Sequence, residues 1–134
     1  FLKLEIPLTW KLHAECGLRY DSTYGWREKL GWRCGFTFPF EPYNLEVLEI
    51  PLIIMDRTFG KYLGYEPSWD AIELLLKQLR DKGGVGAILW HNNAVNAAGN
   101  IDYFQLYEKL LYYCYNNGGW LTACGNFWRW WQRL

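Results

Sequence analysis

The sequence predicts an α/β protein in which parallel strands alternate with helices. Two observations carry this prediction. From residue 45 onward, apolar runs short enough to be strands alternate with segments whose apolar residues recur at helical spacing. Glycine pairs and capping residues then mark the helix ends, so each strand is separated from the next by a crossover of the length that makes neighbours parallel. Strand, helix, strand, helix, strand, helix is the order of an open doubly wound sheet or of a piece of a β/α barrel.

Leu8 to Cys16 is predicted to be a short helix, with Pro7 and Thr9 near its start and Gly17 as its stop, followed by an extended piece at Leu18 to Asp21. Residues 22–44 hold Gly25, Gly31, Gly35, Pro39 and Pro42 and show no period. They predict a long loop, and a loop of that length within a compact domain is usually functional. Val47 to Met55 is β-branched and apolar and stops at Asp56, the pattern of a strand buried on both faces. Pro67 and Ser68 signal the start of a helix, Ile72, Leu75, Leu76 and Leu79 form its apolar face, and Gly83 with Gly84 end it. Val85 to Trp90 is the next buried strand. Asp102 and Gln105 make a capping-box pattern ahead of Phe104, Tyr107, Leu110, Leu111 and Cys114, and Gly118 with Gly119 close that helix. A third short strand, Trp120 to Ala123, leads into a terminal helix from Asn126.

Composition narrows the function. The 134 residues, 51% hydrophobic and 21% charged, suit one compact domain or part of a larger one. Fourteen Lys and Arg balance 14 Asp and Glu, which removes the basic excess that nucleic acid or an anionic membrane surface requires. The longest uncharged apolar stretch, Ile50 to Met55, is far shorter than the roughly 20 residues of a membrane-spanning helix. Cys16, Cys34, Cys114 and Cys124 lack the spacing of a zinc or redox motif and are expected to be buried or half-buried free thiols, as in a reducing compartment. A complete barrel runs to about 250 residues, so this chain is expected to supply the second half of one. Its start at Phe1, without an initiator methionine or a signal peptide, fits that expectation.

In parallel α/β architectures ligands meet the carboxyl ends of the strands. His91 and Asp56 stand at two of those ends. An imidazole exchanges protons near neutral pH, and a carboxylate in hydrogen-bond reach fixes its tautomer, so the two make a candidate general acid and its orienting partner. The competing readings are a strand-terminal histidine bonded to a loop carbonyl and an aspartate that caps its own loop. His13, between Lys11 and Glu15 on a short helix, is expected in solvent. Arg33 lies among aromatics in the segment Gly31 to Phe40; its guanidinium either lines a site for an anionic group or stacks on Trp32 or pairs with a surface acid. Nine Trp are more than a core of this size needs, and flat aromatic faces with a polar edge suit sugars. Trp26, Trp32 and Trp90 lie near the proposed loops, and Trp32, Phe36 and Trp90 are the candidates for such a surface. Trp128, Trp130 and Trp131 are expected to pack the last helix on the sheet.

Specific strings go further than periodicity. Gly17-Leu18-Arg19-Tyr20-Asp21-Ser22-Thr23, Gly31-Trp32-Arg33-Cys34-Gly35 with Pro39-Phe40, Glu49 to Asp56, Leu89-Trp90-His91-Asn92 and Gly119-Trp120-Leu121-Thr122 occur in that order. Together they resemble the C-terminal half of a NodB-type polysaccharide deacetylase, in a divergent bacterial branch of that superfamily. The resemblance implies a distorted seven-stranded β/α barrel, of which residues 1–134 are the C-terminal portion of a single domain. It implies hydrolysis of acetyl groups on a carbohydrate polymer with a divalent metal, zinc or a similar ion, whose ligands are not in this chain but in the missing N-terminal half of the domain. It makes Leu89 a lining of the acetyl pocket, His91 the acid that protonates the leaving group, and Asp56 the residue that tunes His91. The family's arginine motif would precede Phe1, which leaves Arg33 a second loop arginine. A non-catalytic carbohydrate-binding or assembly module on the same fold is the alternative. A glycoside hydrolase would need two acids at strand ends, where only Asp56 stands.

Overall fold

A computed structural model describes residues 3–59, 69–92 and 103–134, and within them one segment, residues 47–56, is buried at every position. The described elements in chain order are α1 (Leu8–Glu15), β1 (Tyr20–Asp21), a 3-10 turn (Pro42–Asn44), β2 (Leu48–Glu49), β3 (Leu52–Met55), α2 (Trp69–Asp81), β4 (Ala87–Leu89), α3 (Tyr103–Asn116) and α4 (Cys124–Trp131). The expected helix-start residues Pro67 and Ser68 and the capping residue Asp102 lie outside the described residues.

The buried segment is the strand expected over Val47 to Met55, but it is divided. Pro51 has no N–H to give to a ladder, and the chain changes neighbours there. β2 pairs with β1 in parallel, Tyr20 opposite Leu48 and Asp21 opposite Glu49. β3 pairs with β4 in parallel, Met55 opposite Leu89, with a register shift between Leu52 and Ile54. At that irregularity the Ile53 carbonyl accepts the Gly31 N–H at 2.9 Å, which draws the long loop onto the sheet. Gly25 docks the same loop: a Cβ there would lie 2.7 Å from Leu52 Cβ, closer than any side chain allows. Among the described residues the strands form two two-stranded parallel sheets and do not close into a barrel.

Alternation, interrupted at the irregularity between Leu52 and Ile54, sorts the side chains by face. Leu48, Ile50 and Leu52 pack with Ala87 and with Phe127 of α4. Ile53 and Ile54 pack with Ile72, Leu75 and Leu76 of α2 and Leu110 of α3. Each such side chain, taken fully out of water, contributes about 1.5–3 kcal/mol, so these two clusters hold the helices in place. α2 ends where Gly83 turns to φ +59° and the Gly84 N–H closes back on Leu79 O at 2.9 Å.

Two expectations are corrected. Residues 120–123 are not a strand: Trp120 is 57% exposed, and the segment crosses the surface from α3 to α4. With its side chains in solvent it has no sheet face to bury, so its apolar residues alone could not make it a strand. Cys16 is exposed, whereas Cys34, Cys114 and Cys124 are half-buried; all four are free. No helix among the described residues is long and apolar enough to cross a membrane.

Candidate active site

β3 and β4 end at the same level because Met55 is in register with Leu89. Asp56 directly follows the one, and His91 comes just after the other, so parallel pairing alone brings residues that are 35 apart in sequence side by side. His91 Nδ1 lies 2.6 Å from Asp56 Oδ1. The backbone N–H of His91 donates to Asp56 Oδ2 at 3.1 Å, and that of Arg57 donates to Oδ1 at 2.8 Å. The Asp56 side chain is wholly buried, whereas 32% of the His91 side chain is exposed.

This arrangement fixes the chemistry of the ring. An ionised carboxylate only accepts, so the hydrogen on Nδ1 points to Asp56 and Nε2 is left to bind or release a proton. Three donors on two oxygens hold the carboxylate in one orientation, and the carboxylate holds the ring. The exposed part of the imidazole gives a reactant access to it. These are the requirements for a general acid or base with a positioning partner.

The remaining sequence candidates are more dispersed. Leu89 is half-buried on the Phe127 side of the sheet. Trp90 packs between sheet and α3, its ring centroid 5.2 Å from that of Tyr107 and 6.4 Å from that of Tyr103. Trp32 lies half-buried on the same core cluster as Trp90. Phe36 is 45% exposed and edge-on to Phe40 at 5.2 Å. Arg33 stacks at 5.0 Å from the Tyr24 ring and 5.4 Å from that of Trp26, so among the described residues its company is the loop's own aromatics and not Trp32 or a surface acid. A cavity of about 350 Å³ is lined by Leu79, Gly84, Gly86, Tyr113, Trp120 and Phe127; its lining includes the residues just before β4 and does not include His91.

Two titratable residues escaped the sequence reading. Glu49, inside the apolar run, is completely buried beside Asp21. Burial, and next the charge of Asp21, push its carboxyl up to about 7, against the lowering effect of hydrogen bonds from the Tyr24 amide and the Trp10 indole. A single acid in a strand otherwise buried on both faces was the available signal. His13, expected in solvent, is half-buried with Nδ1 3.3 Å from Asp21 Oδ2. Among the described residues no group of three or more His, Cys, Asp and Glu side chains is placed to hold a metal ion. Compared with known protein families, curated proteins and solved structures, the chain matches none.

Proposed function

We propose that this chain carries the proton-donating side of a metal-dependent deacetylase of a carbohydrate polymer, on the C-terminal half of a distorted seven-stranded β/α barrel. One observation carries the reading: the 2.6 Å contact between His91 Nδ1 and Asp56 Oδ1 at the level ends of two parallel strands. The ordered strings from Gly17 to Thr122, which resemble those of the NodB-type superfamily, support it.

His91 is the catalytic residue in this reading. Cleaving an acetyl amide or ester leaves an amine or an alkoxide that must gain a proton, and Nε2–H of the imidazolium supplies it. Asp56 is a positioning residue that holds the ring so that Nε2 faces the reactant. Leu89 contributes to the acetyl pocket in this reading, and Phe36, 45% exposed, offers a flat face to a sugar ring, whereas Trp90 and Trp32 are packed on the core cluster. Arg33, stacked on Tyr24 and Trp26, is in this reading a second loop arginine of the site. In this reading the ligands of the divalent ion that the resemblance implies lie in the N-terminal half of the domain.

Acetate release from N-acetylated and O-acetylated oligosaccharides, assayed with the protein that carries this chain and a divalent metal, tests the proposal. Release is expected. Oligosaccharide binding with no acetate formed would overturn it in favour of a non-catalytic carbohydrate-binding module.

A further inference from the structure

Away from His91, a second group of titratable side chains is built into the junction of β1 and β2. Register sets Asp21 beside Glu49 on adjacent parallel strands, so both carboxyl groups leave the sheet on the same side. Glu49 Oε2 accepts the Trp10 indole N–H of α1 at 2.8 Å, and Oε1 accepts the Tyr24 amide at 2.9 Å. Asp21 Oδ1 accepts the Ser22 amide at 2.8 Å, and Oδ2 accepts the Thr23 hydroxyl at 2.6 Å. His13 Nδ1 approaches Asp21 from α1 at 3.3 Å. Phe40, on the remaining side, exchanges two backbone hydrogen bonds with Glu49, with N to O distances of 2.8 and 3.1 Å. The side chain of Glu49 is fully buried and that of Asp21 is 9% exposed.

Two carboxylates side by side with so little water repel strongly, and one proton between them turns the repulsion into a hydrogen bond. We propose that Asp21 and Glu49 share a single proton, and that this proton is a pH-operated clasp that joins β1 to β2. The clasp matters because the β1–β2 ladder is short: it pairs only two residues of each strand, with Leu48 N–H to Arg19 O at 3.0 Å and Ile50 N–H to Asp21 O at 2.8 Å at its two ends. The sign follows from Glu49. Its folded-state carboxyl is raised to about 7 from an ordinary 4.5, chiefly by burial and then by Asp21. The stabilisation is therefore complete below about 4.5 and is lost as pH rises through about 7. Above that, a second negative charge enters the junction and pushes the strands apart. Glu49 keeps its hold on Trp10 and Tyr24, since an ionised carboxylate accepts at least as well; what opens is the contact with β1.

Amide hydrogen exchange of the protein that carries this chain, at pH 6 and pH 8 and corrected for intrinsic rates, reads this directly. Protection of the Leu48 and Ile50 amides is expected to fall about tenfold between the two, as a proton lost at about 7 dictates. The Ala87 amide, bonded to Pro51 O in the other sheet, is expected to keep its protection. Glu49→Gln, neutral at every pH, is expected to make the Leu48 and Ile50 values independent of pH. Equal protection at both pH values in the unaltered chain, or the same tenfold fall in Glu49→Gln, would overturn the proposal. If that variant does not fold, the ¹³C carboxyl resonance of Glu49 in the unaltered chain decides: a midpoint near 7 supports the clasp, and one near 4.5 refutes it.

Discussion

His91→Ala is expected to lower turnover of an acetylated oligosaccharide by about 10²-fold to 10⁴-fold, the usual contribution of a positioned general acid. The loss belongs in kcat, with kcat/KM falling in step, because the proton moves only as the bond to the leaving group breaks. The leaving group supplies a control. An amine or a sugar alkoxide needs a proton to depart, whereas an aryl oxide departs without one. The same variant is therefore expected to lose far less activity on an aryl acetate ester than on the oligosaccharide. Steady-state rates on the two substrates check this. Equal losses would assign His91 to the structure of the site, and unchanged rates on both would remove it from the chemistry.

Asp56→Ala is expected to destabilise the fold by about 3–5 kcal/mol, a large share of the roughly 5–15 kcal/mol that holds a domain together. The Asp56 carboxylate is fully buried and accepts from the Arg57 amide, the His91 amide and His91 Nδ1. Alanine satisfies none of them, and each buried donor left without a partner costs about 1–3 kcal/mol, less for the ring, which water reaches. Urea denaturation measures the loss as a lower midpoint at unchanged slope. The exposed Arg19–Glu46 pair is the comparison: at 2.9 Å its geometry is good, yet Arg19→Ala is expected to cost less than about 1 kcal/mol because both side chains stand in water. A similar small loss for Asp56→Ala would mean that solvent replaces the carboxylate, contrary to the geometry.

The pairing of Asp56 with His91 was legible in the sequence because it depends on few things: two strands that run in parallel, and a polar residue at the end of each. The helices were legible for a similar reason, since apolar periodicity and glycine stops are local signals. Pro51 was visible too, yet the division of one strand into two follows only once its separate neighbours on either side are known. Glu49 was hidden by its surroundings. Its burial is supported by an indole 39 residues earlier in the chain and by an aspartate on another strand, and no short window of sequence contains them together. Arg33 shows the opposite difficulty: its aromatic company was plain, but which rings it would choose was not. Residues 120–123 failed as a strand because apolar content says nothing of whether a sheet edge is present to receive it.

The way β3 meets β4 also bears on how fast the protein reaches its native state. The four helices among the described residues would suggest rapid self-organisation, yet the ends that carry Asp56 and His91 are 35 residues apart and meet only after the intervening chain has been confined. The entropy of that closure is lost before any reward from pairing, which places the search for the native topology on the order of milliseconds to seconds rather than microseconds. The helices can flicker in and out long before then; a reactive imidazole exists only at the end.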